Sequence, residues 1–174
     1  YNRQTEQLNI LLAKPHQRLF FDDYPEAVYV GSVVSIKMDN DTLNDVGTIE
    51  IECSDPFAYS NEQTATVTGT NYKISPVGLN YDQTPDSITF VPSADIPSLK
   101  ITNGDKKIEI NQVITAGTKV VINFSNLDVI INEVSSLMNV TLDSNLGDFY
   151  IRDGDTISFS ASGSIEVKYR VKKL

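Results

Sequence analysis

The residues able to do chemistry are mainly carboxylates, and they gather in two places. Asp39-Asn40-Asp41-Thr42-Leu43-Asn44-Asp45 sets oxygens at alternate positions, as the start of a calcium loop does. Asn44 stands where such a loop needs Gly, and Glu50, at the twelfth position, falls on the face of an expected strand. The stretch reads as a solvated acidic loop that holds no metal. Asp153-Gly154-Asp155 also pairs carboxylates, but Asp-Gly between two strand signals is a turn. Glycoside hydrolysis needs two carboxylates facing across a cleft, and no active-site motif surrounds either pair. Cys53 is the only cysteine, so no disulfide forms within the chain, and it reads as a small buried residue of a strand. His16 is the only histidine and sits in a loop beside Pro15. No Ser–His–Asp set, Gly-rich phosphate loop or metal-ligand spacing is present. The expectation is a protein without enzymatic activity, cofactor or metal, whose function lies in its surfaces.

The elements that present those surfaces follow from periodicity. Asn2 to Ala13 reads as a helix with Leu8, Leu11 and Leu12 on one stripe, ended by Pro15. Arg18–Phe21 and Ala27–Met38 read as strands, with Gly31 a candidate bulge. In Val46–Ser60, Ile49, Ile51 and Cys53 alternate with Thr48, Glu50 and Glu52, the period of a strand with one buried face. Pro56 lacks a donor and restrains Asp55, so the ladder should stop there. Phe57 and Tyr59 then offer rings to pin a connection. Asp55, Pro56, Phe57 and Tyr59 are therefore the expected domain junction, with one domain over 1–60 and another over 61–174.

One helix and three strands leave sheet edges bare. The first segment is expected to be the end of a domain whose other strands lie elsewhere. After Ser60 the pattern is uninterrupted β: Gln63–Thr68, a loop over Lys73–Asp86, Ser87–Val91, and a hairpin of Leu99–Thr102 and Lys107–Ile110 about Asn103-Gly104-Asp105. Thr118–Phe124, Asp128–Asn132, Asp148–Ile151, Thr156–Ser160 and a last strand follow. In the last strand Ile165, Val167, Tyr169 and Val171 face one way. Short strands joined by turns describe a β-sandwich.

The net charge of −9 and scattered Lys and Arg argue against specific nucleic-acid binding. An acidic body suits a passage to which DNA must not stick. No apolar run approaches the roughly 20 residues that span a bilayer, so membrane insertion is not expected.

Two stretches carry a resemblance. One is the strand ending in Cys53-Ser54-Asp55-Pro56-Phe57-Ala58-Tyr59, preceded by the Leu8, Leu11 and Leu12 helix and Leu19-Phe20-Phe21-Asp22-Asp23. The other is Ile114-Thr115-Ala116-Gly117-Thr118-Lys119-Val120-Val121-Ile122, Asp148 to Asp155, and Ile165 to Arg170. Together they resemble the distal tail protein family of long-tailed (siphovirus-type) phages and prophages of Gram-positive bacteria. The resemblance implies a mainly β chain: a galectin-like β-sandwich preceded by the helix-plus-strands end of an incomplete N-terminal ring domain. It implies a virion structural protein at the tail tip, a homo-oligomeric ring of about six linking the tail tube protein to the hub or lysin. The sandwich would project outward and dock receptor-binding proteins. The alternative is a carbohydrate-binding module for host wall polysaccharide, for which Tyr72, Tyr81 and Tyr150 are the candidate aromatic faces.

Overall fold

The structure, a computed structural model, describes residues 14–39, 46–53, 55–75 and 78–173. The helix expected over Asn2–Ala13 and most of the acidic loop, residues 40–45, lie outside them. Two compact units result. The first runs to Asn61 and includes Lys173, and the second spans Glu62–Lys172.

The first unit is a five-stranded sheet that includes β1 (Gln17–Phe21), β2 (Tyr24–Asp39), β3 (Val46–Glu52) and β4 (Ala58–Tyr59). β2 is its spine, pairing antiparallel with β1, β3 and β4. Lys173 belongs to this unit next to β4, and its ammonium lies 3.9 Å from Glu26. β2 is irregular at Val34, where pairing with β3 shifts between Val33 and Ser35, and near its start, where pairing with β1 shifts between Phe20 and Phe21. Gly31 has another duty. A Cβ there would lie 2.8 Å from Ile51 and 3.1 Å from Cys53, so glycine lets β3 side chains close over the strand.

Among the described residues the apolar burial in this unit is small: Ala27, Val28 and Ala58. The alternation expected to bury Ile49, Ile51 and Cys53 does not do so. Ile49 is 46% exposed, Ile51 is half-buried and Cys53 is exposed. The period is that of a strand, but no second layer covers this face among the described residues. Phe20, Phe21, Tyr24 and Val34 are exposed as well.

The second unit is one curled sheet folded into a sandwich. Its strands are β5 (Gln63–Lys73), β6 (Ser87–Pro92), β7 (Leu99–Asn103), β8 (Lys106–Ile110), β9 (Val120–Asn123), β10 (Asp128–Ile131), β11 (Val134–Ser135) and β12 (Thr156–Tyr169). A last short strand, β13 (Lys172–Lys173), follows. The order is β11-β10-β9-β6-β12-β7-β8, and β5 lies along β12.

β12 organises the unit. The two strands expected over Thr156–Ser160 and after Ile165 are one long strand. Its first part pairs with β7 and its second with β6. Between them, at Ser158–Gly163, the register with β5 shifts, which lets one strand turn from one layer to the other. Alternate residues then face one core: Ile157, Phe159, Ile165, Val167 and Tyr169 from β12, met by Ile88 and Phe90 from β6 and Ile101 from β7. The Phe90 and Phe159 rings stack with centroids 5.1 Å apart. Gly163 is the point of closest approach. A Cβ there would sit 2.3 Å from the Val91 carbonyl and 2.7 Å from the Phe90 ring.

The hairpin at Asn103-Gly104-Asp105 forms as expected, with Gly104 at φ 59°. Asn132 and Glu133 both take positive φ in the two-residue turn from β10 to β11. Asp148–Ile151, expected as a strand, makes only a single bridge, Ile151 with Gln83. Phe149 is drawn into the core beside Phe124 instead, 5.7 Å between centroids.

Candidate functional site

The Asp55–Tyr59 stretch lies inside the first unit. β3 ends at Glu52, ahead of Pro56, and the chain then returns to the same sheet through β4. The Asp55 carboxylate makes this turn: one oxygen accepts from the Phe57 N–H at 3.0 Å, and the other accepts from the Tyr59 hydroxyl. Tyr59 in β4 then pairs with Val28. Burial first, then the hydrogen bond and charge of Asp55, raise the Tyr59 phenol well above its ordinary value. The units change two residues after Tyr59, between Asn61 and Glu62. The four residues expected at the junction thus build a turn whose ends are held by one carboxylate. Beside it an open hollow of about 600 Å³ is lined by Tyr24, Tyr29, Pro56, Ala58 and Lys173.

In the sandwich, the turn carboxylates act as clamps. Asp153 accepts from the Gly78 N–H at 2.9 Å. Asp155 accepts from the Asn103 amide at 2.8 Å and the Arg152 N–H at 2.9 Å. Asn103, nearly buried, also donates to the Tyr150 carbonyl at 2.7 Å. These bonds tie the loop after Phe149 to the β7–β8 hairpin.

The same bonds frame a shallow cleft of about 270 Å³ lined by Asp82, Asn103, Asp105, Lys106, Tyr150 and Arg152, among others. Arg152 forks onto Asp82, with one N–H to oxygen distance of 2.7 Å. Lys106 lies 2.7 Å from Asp148. That hydrogen bond raises the Lys106 ammonium and lowers the Asp148 carboxyl. Asp148 also takes the Tyr150 hydroxyl, whose phenol is raised chiefly by that bond.

Of the three aromatic candidates, Tyr150 lines this cleft and is 38% exposed. Tyr81 is exposed to the same degree and stands next to Asp82 in the chain. Tyr72 belongs to neither. It is the penultimate residue of β5, not a loop residue, with Ile157 as its register partner. It packs half-buried against the core, and its phenol is raised by burial and by Tyr169. β5 runs past its expected end at Thr68, to Lys73. Asp82, Asn103 and Arg152 were missed as cleft residues because their meeting depends on the bridge of Gln83 to Ile151.

Elsewhere Gln83, 3% exposed, fixes the last strand. It donates to the Arg170 carbonyl and accepts from the Lys172 N–H at 3.2 Å. Arg170 reaches Asp86 at 2.8 Å and Glu62 at 3.4 Å. Among the described residues no group of three or more His, Cys, Asp or Glu could hold a metal ion.

This is a mainly β chain, a galectin-like sandwich and a smaller sheet unit, whose singled-out polar groups mostly serve as clamps. Comparison with known proteins gives the family. Residues 80–172, more than half of the chain, match the family model SPP1 Dit, described as siphovirus-type tail component, C-terminal domain. The chain belongs to this family of phage tail components, in agreement with the distal tail protein resemblance. A similar solved structure is the SPP1 Dit (gp 19.1) protein, described as a paradigm of the hub adsorption apparatus in phages infecting Gram-positive bacteria. The likeness has a TM-score of 0.76 at 18% identity, over 97% of this chain and 71% of that one. It concerns the fold. No curated protein matches the chain.

Proposed function

We propose that this protein is a tail-tip scaffold: a ring of about six copies that joins the tail tube protein to the hub or tail-associated lysin. In this reading the first 60 or so residues belong to the ring-forming domain, and the sandwich of residues 61–174 docks receptor-binding or adhesion components. It works in the virion by holding its neighbours, without a catalytic step, cofactor or metal. Family membership over residues 80–172 is the observation that carries the reading. The first unit supports it. Phe20, Phe21, Tyr24, Val34 and Ile49 are exposed on one five-stranded sheet that among the described residues buries little apolar surface, a state that soluble proteins normally cover with a further layer or a partner. The net charge of −9 supports a lumen that lets DNA pass. The test is immunogold labelling of virions with antibody against this chain. Label at the distal end of the tail is expected, and label confined to capsids or lysate would refute it.

A second reading has one observation in its favour. Tyr150 faces a cleft that also holds Asp82, Asn103 and Arg152, an aromatic face with planar polar groups of the kind that grips a pyranose ring. Calorimetry with host wall polysaccharide tests it. Binding that Tyr150→Ala abolishes supports a carbohydrate-binding module, and no heat at millimolar sugar rules it out.

A further inference from the structure

Among the described residues one edge of the sandwich is not defended. β5 pairs with β12 on one side, and among the described residues no strand lies on the other. Open edges are usually short, charged, kinked or covered, because a bare row of N–H and C=O groups recruits another strand. The other ends of this sheet follow that rule. β11 is two residues long. β8 carries Lys106, Lys107 and Glu109, and the segment after Asn139 covers it through backbone bonds from Thr141 to Glu109 and from Asn145 to Lys107. β5 is 11 residues long and has neither proline nor charge from Gln63 to Tyr72. Its one irregularity lies near Gly69, so Gln63–Thr68 remains a regular edge.

We propose that β5 pairs with β5 of a second copy of this chain, antiparallel and about a two-fold axis. The strand's own sequence argues for that occupant. Thr64, Thr66 and Thr68 are exposed on the outer face. Ala65 and Val67 are half-buried on the inner face, opposite Val167 and Ile165, and form the last row of the core. An incoming strand must therefore bring small apolar residues to the inner face and polar ones to the outer, with no charge between. β5 turned about a two-fold axis does this: threonines meet threonines, which pair well across strands, and Ala65 and Val67 meet their own kind. The charge nearest the strand's start is already balanced, because Glu62 lies 3.7 Å from Lys168 and 3.4 Å from Arg170. A single strand pair buries less than the roughly 1,200 Å² of a stable interface, so the pairing is weak and reversible. It gains strength where several copies are held together. It does not depend on the ring proposed above.

The test is analytical ultracentrifugation of the full-length protein over micromolar to millimolar concentrations. Two variants accompany it, Thr64→Lys/Thr66→Lys/Thr68→Lys and the same three positions changed to Glu. The wild type should double the mass of whatever species it forms at low concentration. Each variant should lose the doubling, and an equimolar mixture of the two should regain it. Amide exchange of Thr64–Thr68 in the wild type is the second measurement, and its protection should rise with concentration. No doubling in the wild type, doubling that both variants retain, or protection independent of concentration would each overturn the proposal.

Discussion

Gly163→Ala tests how the sandwich closes. The added Cβ would lie 2.3 Å from the Val91 carbonyl, about 0.7 Å inside the 3.0 Å that real Cβ atoms respect. Neither obstacle can swing away. Val91 is the register partner of Ser164 in the β6–β12 ladder. The Phe90 ring is fully buried and stacked on Phe159. Relief requires β6 to move from β12, which loosens the ladder and the stack together. Overpacking of this kind costs about 1–3 kcal/mol, sometimes more. The lost flexibility of the unfolded chain returns only about 0.4–1 kcal/mol. A net loss of about 1–2 kcal/mol follows, and for a unit of this size that lowers Tm by about 4–10 °C. Scanning calorimetry and urea denaturation measure it. Gly104→Ala is the comparison, with a φ of 59° but open space around its Cβ. It should cost about 1–2 kcal/mol through the backbone alone. A Gly163→Ala protein with unchanged Tm would refute the close approach of β6 and β12.

Gln83→Ala should cost about 1–3 kcal/mol in urea denaturation, because it strips partners from the Arg170 carbonyl and the Lys172 N–H beside a buried side chain. Tyr72→Ala should cost about 2–4 kcal/mol through lost packing, whereas Tyr150→Ala should stay within about 0.5 kcal/mol in the same assay. Hydrogen bonds from Lys106 and Lys107 hold the Asp148 and Asp143 carboxyls below their ordinary 3.8. Their contribution is present above that value and is lost as pH falls through the lowered one. Tm should therefore decline in acid, and a Lys106→Met/Lys107→Met protein should decline less. The phenols of Tyr59, Tyr72, Tyr150 and Tyr169 are raised above 10.0. Stability should thus be full below pH 10.0 and fall above it, which thermal denaturation across the alkaline range measures.

The strands of the sandwich were legible wherever one face is buried and the other wet, because alternation records burial directly. Ile165, Val167 and Tyr169 are inside as their spacing indicates. Asn103-Gly104 was legible because positive φ selects glycine. What the sequence hides is what depends on a distant neighbour. Thr156–Tyr169 runs on as one strand because Gly163 lets it pass against Val91 and Phe90, and nothing beside Gly163 in the chain says so. Ile49 and Cys53 alternate like buried residues, yet alternation cannot tell whether a covering layer is present. β3 does stop near the expected place, at Glu52. The sequence does not reveal that Asp55 turns the chain back into the same sheet, although the expected boundary at residue 60 lies one residue from the change of unit after Asn61. The cleft was half legible: Tyr150 could be picked as an aromatic before a turn, but its neighbours Asp82 and Arg152 are 70 residues apart.

The central claim is that this tail component works as a ring-forming scaffold. Electron microscopy of the purified full-length protein tests it most directly. Class averages should show closed rings of about six copies with an open lumen, and a strictly monomeric protein at micromolar concentration would contradict the claim.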